Sequence, residues 1–160
     1  MIGTPIGPES AIGHSSLVST LPCLVLTAGL GTRLRPLTDL VAKPALPVAG
    51  KPLVSRILES LAGQGVTDAV LNLSHLPETI TAIVGDGSPF GLRVRYSWEQ
   101  PVLGSAGGPR HALPLLGPRF LIVNGDTLTD VALRDVVRAH EASGAAVTMA
   151  NGVSGATCET

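Results

Sequence analysis

Residues 26–38 read LTAGLGTRLRPLT, and the pair Lys43-Pro44 follows shortly after them. The apolar run 21–27 that leads into this stretch is typical of a strand buried on both faces. Two glycines follow the strand, and because they lack side chains the backbone there can approach a ligand closely. Free amides in such a turn form an anion-binding concavity, and Arg33 adds positive charge beside it. We therefore interpret the stretch as the phosphate-binding loop of a nucleoside triphosphate site.

The glycine spacing separates this loop from two commoner phosphate-binding loops. Gly29 and Gly31 begin a GxG pattern, but Leu34 stands where the dinucleotide-binding pattern GxGxxG needs its third glycine. The Gly-Lys-Ser/Thr ending of the Walker pattern is absent as well. A simple turn that carries surface arginines is the alternative interpretation, and the length of the pattern, which continues to Lys43, argues against it.

Apolar runs and helical periodicity alternate along the rest of the chain. The pattern predicts strands at 21–27, 69–73, 92–98, 120–123 and 145–150. It predicts helices at 52–62, 77–84 and 133–142, and a short helix that Pro109 opens and Pro114 ends. Strands that alternate with helices indicate an α/β domain with a mostly parallel sheet. Arginines alternate with apolar residues in 92–98, so we expect that strand at an edge.

Composition divides the chain into three parts. Residues 1–20 are rich in Gly, Pro, Ser and Thr without periodicity, and we expect a disordered N-terminal extension there. Residues 21–150 form the predicted domain. Residues 151–160 are small and polar, and we expect an irregular tail.

Three polar features follow predicted strands and should meet at one edge of the sheet. They are the first glycine loop, a second glycine-rich loop at 103–108 that we expect to be flexible, and Asp126 after the strand at 120–123. Open parallel sheets bind ligands at the carboxyl ends of their strands. A turn or helix-capping aspartate is the alternative for Asp126, because Asn124 and Gly125 precede it.

Charge and cysteine content exclude several classes of protein. The net charge is −1, from 11 basic and 12 acidic residues, which argues against nucleic-acid binding through bulk electrostatics. Two cysteines do not make a disulfide framework, and Cys23 fits a small core residue in a cytoplasmic protein. No apolar run approaches the roughly 20 residues that a membrane span requires.

Several other polar residues have ordinary structural explanations. His75, His111 and His140 lack metal-ligand spacing and are expected on the surface or on a helix face. Trp98 and Glu99 end a predicted strand near the ligand-binding edge, and Trp98 is expected to serve in packing.

The chain resembles the sugar-phosphate nucleotidyltransferases, and among them mannose-1-phosphate guanylyltransferases and N-acetylmuramate-1-phosphate uridylyltransferases. The resemblance runs from about residue 24 to about residue 150, and it rests on five short segments: 28–38, 43–48, 50–53, 103–108 and 123–126. It implies a Rossmann-like three-layer sandwich with a mostly parallel sheet, of the nucleotide-diphospho-sugar transferase type.

The resemblance also implies a reaction and a set of residues. In this family a sugar-1-phosphate oxygen attacks the α-phosphorus of a nucleoside triphosphate, pyrophosphate leaves, and a nucleotide-sugar forms. By resemblance, Arg33 and Lys43 are catalytic and Asp126 holds Mg²⁺. The residues that would bind the nucleotide are Ala28, Gly29, Gly31, Thr32, Gln100, Gly104, Ser105, Ala106 and Gly107. The partners would be the two small substrates, without nucleic acid or membrane, and the base and the sugar stay open.

Two rival functions remain at this point. The family has a second metal carboxylate on a later strand, which this chain does not reach, so we expect a form truncated at the C-terminus. A non-catalytic nucleotide-binding module, such as a regulatory subunit or an inactive paralogue, is therefore the alternative to an enzyme. A dehydrogenase-like dinucleotide domain is a weaker alternative, because the glycine spacing argues against it.

Overall fold

The computed structural model describes residues 16–150 and 158–159. The strands in this part of the chain are β1 (Cys23–Leu26), β2 (Pro47–Val48), β3 (Lys51–Pro52), β4 (Asp68–Leu73), β5 (Arg93–Trp98), β6 (Leu121–Asn124), β7 (Met149–Ala150) and β8 (Cys158–Glu159). The α-helices are α1 (Ser16–Ser19), α2 (Leu53–Gly63), α3 (Pro77–Val84), α4 (Gly104–Leu116) and α5 (Leu133–Ser143). Short 3₁₀ turns cover Thr32–Leu34, Leu37–Asp39, Lys43–Ala45 and Ser88–Phe90.

Within the described residues, the main sheet has four parallel strands in the order β5-β4-β1-β6. Leu24 of β1 lies opposite Val70 on one side and Ile122 on the other. The chain therefore runs from β1 outward through β4 to β5, then crosses to the opposite side of β1 to form β6. This reversal leaves a crevice at the carboxyl ends of β1 and β6, where sheets of this kind bind ligands. The parallel sheet is confirmed, and β5 lies at the expected edge.

Each face of the sheet has its own apolar core. On one face, Cys23 and Val25 share a core with buried residues of α2, α3 and α5. On the other face, Leu24 and Val70 pack against Ala112 of α4. Helices thus cover both faces, which confirms the three-layer α/β sandwich. Burial raises the pKa of the Cys23 thiol to about 12, so the thiol stays neutral in its core position.

The predictions of a flexible loop at 103–108 and of a short helix after it are wrong. Helix α4 begins at Gly104, continues through Pro109 and Pro114, and ends at Leu116. A proline inside a helix costs about 3 kcal/mol because it removes a hydrogen bond and crowds the preceding turn. The buried face of α4, which includes Pro109 itself, packs on the sheet, and this packing overrides the local preference.

Two further expectations at the ends of the domain are corrected. The strand expected at 145–150 does not join the main sheet: it shortens to Met149–Ala150 and pairs antiparallel with Cys158–Glu159. That pairing also contradicts an irregular tail at these two positions, and the other residues of 151–160 lie outside the described part.

At the N-terminus, the expectation of a disordered extension over 1–20 is wrong for the last residues of that range. Residues 1–15 lie outside the described part, but Ser16–Ser19 form one helical turn. Val18 is 2% exposed and belongs to the main core. Burial against the domain fixes this turn, which is too short to show periodicity in the sequence. Over the described residues, no helix is long and apolar enough to cross a membrane.

Candidate functional site

A cavity of about 210 Å³ opens at the carboxyl ends of the central strands. The residues that line it are Leu26, Thr27, Ala28, Gly29, Lys43, Pro44, Asn72, Glu99, Val102, Gly104, Ser105, Asn124 and Asp126. The first glycine loop, the start of α4 and the segment after β6 therefore meet at one edge of the sheet, as the order of the strands requires.

The structure brings six of the predicted site residues to this cavity: Ala28, Gly29, Lys43, Gly104, Ser105 and Asp126. Six others are absent from its lining in the described part of the chain, namely Gly31, Thr32, Arg33, Gln100, Ala106 and Gly107. Arg33 is exposed in the turn Thr32–Leu34, just beyond the loop. The functional roles of both groups stay predictions.

Lys43 and Asp126, which both line the cavity, form an ion pair. Lys43 Nζ donates to Asp126 Oδ2 over 2.5 Å, although 83 residues separate the two along the chain. The side chains are 26% and 42% exposed, so solvent reaches both. The hydrogen bond from Lys43 is the main cause that holds the pKa of Asp126 below its ordinary value. Asp126 is therefore ionised at neutral pH, and its pairing is lost only as the pH falls through that lowered pKa.

Gly125 places Asp126 beside the end of β1. Its amide donates to the carbonyl oxygen of Leu26 over 3.0 Å. A Cβ at this position would overlap that carbonyl oxygen and would lie 2.9 Å from Cγ2 of Thr27. A residue without a side chain is thus required for the close approach of the two strand ends, and this contact sets where the Asp126 carboxylate stands.

Replacing Gly125 with alanine is expected to destabilise the fold by about 1–3 kcal/mol, because the backbone of β1 must move to accept the new methyl group. Thermal unfolding measures the effect. Gly29→Ala is the matched control, since a Cβ at Gly29 meets nothing within 4 Å, and its melting temperature should equal that of the wild type. Equal melting temperatures for Gly125→Ala and the control would contradict the close approach.

Hydrogen bonds fix the first loop from its far side. Gly31 has φ +62°, and its carbonyl oxygen accepts from Oγ1 of the fully buried Thr38 over 2.9 Å. The carbonyl oxygen of Thr38 in turn lies 2.7 Å from Nε2 of His75. The amide of Ala42 donates to Oγ1 of Thr79 over 3.1 Å, which anchors the backbone directly before Lys43. His75, expected on the surface or on a helix face, is half-buried outside any helix, and its ring contacts the carbonyl oxygen that holds the loop.

A buried polar network in the lining of the cavity was missed in the sequence. Thr27, Asn72 and Glu99 are 2–3% exposed, and each stands at or just past the end of a strand of the main sheet. The amide of Thr27 donates to Asn72 Oδ1 over 2.6 Å, and Asn72 Nδ2 donates to Glu99 Oε1 over 2.8 Å. The signal available was the single asparagine within the apolar run of β4, together with a glutamate placed directly after β5.

The residues of this cavity fit a divalent cation that is also held by waters and substrate phosphates. Across residues 16–150, no group of three or more His, Cys, Asp or Glu side chains is placed to hold a metal alone. Mg²⁺, however, keeps several waters and binds through one or two carboxylates together with substrate phosphates. Asp126 supplies the carboxylate that this mode of binding needs, because it is ionised and solvent-accessible.

Comparison with known proteins adds a family. The profile of the family described as Nucleotidyl transferase matches residues 23–158. The chain is 48% identical over 113 residues to N-acetylmuramate alpha-1-phosphate uridylyltransferase of Neisseria meningitidis serogroup B, covering 69% of this chain and 49% of the relative. It is 38% identical over 127 residues to mannose-1-phosphate guanylyltransferase of Mycobacterium tuberculosis, covering 79% of this chain and 35% of the relative.

Solved structures agree with the sequence relatives. HddC from Yersinia pseudotuberculosis, complexed with GMP-PN, superposes with a TM-score of 0.68 at 29% identity over 75% of this chain and 54% of that chain. A putative glucose-1-phosphate thymidylyltransferase from Bacillus anthracis superposes with a TM-score of 0.70 over 76% of this chain and 50% of that chain, and at 23% identity it shows a shared fold. The chain spans between about a third and about half of the length of these relatives.

Proposed function

The chain belongs to the nucleotidyl transferase family, and from that premise we propose that it forms the nucleotide-binding part of a sugar-1-phosphate nucleotidyltransferase. The reaction would transfer a nucleoside monophosphate from a nucleoside triphosphate to a sugar-1-phosphate and release pyrophosphate. The observation that carries the proposal is the pairing of Lys43 with Asp126 inside the crevice between β1 and β6. The names of two relatives, an N-acetylmuramate alpha-1-phosphate uridylyltransferase and a mannose-1-phosphate guanylyltransferase, support it.

The proposed chemistry is an in-line displacement at phosphorus. An oxygen of the sugar phosphate forms a bond to the α-phosphorus, and the bond from that phosphorus to the oxygen bridging to the β-phosphate breaks. Such a transfer leaves the protein mainly the tasks of positioning and charge neutralisation. The Lys43 ammonium would bind the phosphate under attack, and the backbone at Gly29, which has open space around it, would let the nucleotide approach closely.

The ion pair would supply two charged groups to the bound nucleotide: the Lys43 ammonium for its phosphates and the Asp126 carboxylate for its metal ion. Mg²⁺ held by Asp126, when bound, would neutralise phosphate charge in the transfer. The Asp126 carboxylate is ionised and ready as a hard oxygen ligand. Asp126 would hold the metal ion, and the Lys43 ammonium beside it would bind phosphate oxygens. The pair thus keeps the lysine ordered at the cavity before the substrate arrives.

Arg33 is proposed to reach the triphosphate from the rim. Its guanidinium lies on an exposed turn that contributes no buried residue to the core. Replacing Arg33 with alanine should therefore lower the turnover by about 10²-fold, through loss of one charged contact to phosphate, and should leave the melting temperature unchanged. Steady-state kinetics and thermal unfolding check the two halves. A large fall in melting temperature at unchanged turnover would count against the role of Arg33.

The whole proposal is tested by pyrophosphate release. The protein is incubated with each of four nucleoside triphosphates and a set of sugar-1-phosphates, with Mg²⁺ present, and the release of pyrophosphate is followed. We expect release with at least one pair of substrates, and the active pair identifies the base and the sugar. Nucleotide binding without release from any pair would instead indicate a non-catalytic nucleotide-binding module.

We also propose that the reaction takes place in the cytoplasm, where the triphosphate substrate is available.

A further inference from the structure

Glu99 is a buried carboxylate that the proposed chemistry does not use. It is 3% exposed and stands directly after β5. Its Oε1 accepts from Asn72 Nδ2 over 2.8 Å, and its Oε2 accepts from the amide of Leu103 over 3.0 Å. Both carboxylate oxygens are therefore engaged, one by the sheet and the other by the residue that precedes α4. A buried charge persists in this way only where hydrogen bonds compensate it.

The orientation of the Asn72 amide follows from its neighbours. The amide of Thr27 is a donor, so the atom of Asn72 that faces it at 2.6 Å must be the oxygen. The nitrogen then faces Glu99, which has to be an acceptor. The hydroxyl of Thr27 also donates to the carbonyl oxygen of Asn72. One chain of hydrogen bonds thus runs from the end of β1 through the ends of β4 and β5 to the start of α4.

This series of hydrogen bonds positions the first turn of α4. Gly104 and Ser105 begin the helix, and both line the cavity. A Cβ at Gly108, in the next turn, would lie 2.6 Å from Glu99 Oε1 and 2.9 Å from Asn72 Nδ2. The helix therefore rests directly on the Asn72–Glu99 pair, at a distance that a side chain at Gly108 would not allow. A negative carboxylate near the N-terminus of a helix is also favoured by the helix dipole.

We propose that Glu99 and Asn72 are positioning residues for the nucleotide: the Glu99 carboxylate, oriented by Asn72, fixes the Leu103 amide and so sets where Gly104 and Ser105 stand at the cavity. This inference rests on the proposed function for the identity of the ligand. Asn72 and Glu99 also line the cavity, but the role proposed for them needs no contact with substrate. The two residues act through the start of α4.

The hydrogen-bond pattern allows a test in which the amide and the carboxylate are swapped between positions 72 and 99. In Glu99→Gln, one pair of donors faces each other whichever way the two amides turn, so one donor stays unpaired. In Asn72→Asp, two carboxylates face each other. In the double variant Asn72→Asp with Glu99→Gln, the carboxylate accepts from the Thr27 amide and from the new glutamine, and the glutamine oxygen accepts from Leu103. The double variant therefore restores every bond with one charge in the network.

The first measurement is hydrogen exchange of the Leu103 amide without nucleotide. We expect faster exchange in each single variant and wild-type protection in the double variant. Asp68→Asn is the matched control, because Asp68 pairs with Arg93 at the opposite ends of the same two strands, and its Leu103 amide should exchange as in the wild type. Unchanged exchange in both single variants, or a double variant no better than the single ones, would overturn the inference. If a single variant does not fold, the double variant must fold and must protect Leu103.

The second measurement separates positioning from general structure. The KM for the nucleoside triphosphate should rise about tenfold in each single variant, as for a buried polar group left unpaired, and should recover in the double variant. The KM for the sugar-1-phosphate should not change. Equal rises in both KM values would indicate a merely structural role and would overturn the inference. A wild-type protein that uses no triphosphate would contradict the proposed function alone, since the exchange of Leu103 is measured without nucleotide.

Discussion

Replacing Lys43 with methionine is expected to lower the rate of pyrophosphate release by about 10²–10³-fold, the range found when one preorganised charge-stabilising donor is removed. Methionine keeps the apolar stem of the side chain and removes the ammonium, so the change isolates the charge. The ion pair with Asp126 is partly exposed, and pairs of this kind contribute at most about 1 kcal/mol to stability. The melting temperature should therefore stay close to that of the wild type.

Arg119→Met is the control for Lys43→Met. Arg119 also forms a partly exposed ion pair, with Glu141, and it lies outside the lining of the cavity. Its rate of pyrophosphate release should equal the wild-type rate. If Lys43→Met retained that rate as well, the ammonium would not act on the reacting phosphate, and the ion pair would be a surface feature of the loop.

Replacing Asp126 with asparagine is expected to lower the rate by a similar factor, about 10²–10³-fold, and to remove most of the response to added Mg²⁺. The amide has nearly the same shape as the carboxylate but no charge, and Mg²⁺ prefers charged oxygen ligands. The pKa of Asp126 lies below its ordinary value because Lys43 donates to it. Loss of activity through protonation of Asp126 should therefore begin only on the acid side of the ordinary carboxyl range.

Asp130→Asn is the matched control for Asp126→Asn, since it makes the same change at an exposed position on the same segment. Rates measured over a series of Mg²⁺ concentrations compare the two variants with the wild type. An Asp126→Asn protein with the wild-type rate and the wild-type Mg²⁺ response would rule out a metal-binding role for this carboxylate.

Local patterns in the sequence predicted those elements whose ends carry their own signals. Helix α3 has the predicted bounds because Pro77 opens it and Gly85 ends it. The position of Asp126 opposite the first loop also followed from the sequence, because the carboxyl ends of parallel strands share one edge. The resemblance had singled out Lys43 and Asp126 separately, and the ion pair between them was seen only in the structure.

Features that depend on distant partners were not predictable in this way. The glycines before Pro109 indicate a flexible loop when only neighbours in sequence are considered. In the structure, position 108 has no room for a side chain, because α4 rests on Asn72 and Glu99. These two residues come from the ends of two different strands. In the network, Thr27 and Asn72 are 45 positions apart in sequence, and Asn72 and Glu99 are 27 positions apart. No local pattern could therefore show it. Met149–Ala150 leave the main sheet for a similar reason, since their partner strand comes later in the chain.

The most direct measurement is calorimetric titration of this chain with the four nucleoside triphosphates, with and without Mg²⁺, in the wild type and in the double variant Lys43→Met with Asp126→Asn. If the crevice between β1 and β6 is the nucleotide site, the wild type binds at least one triphosphate, Mg²⁺ strengthens that binding, and the double variant loses the effect of Mg²⁺. Binding that Mg²⁺ strengthens equally in both proteins would place the triphosphate elsewhere and contradict the assignment of the site.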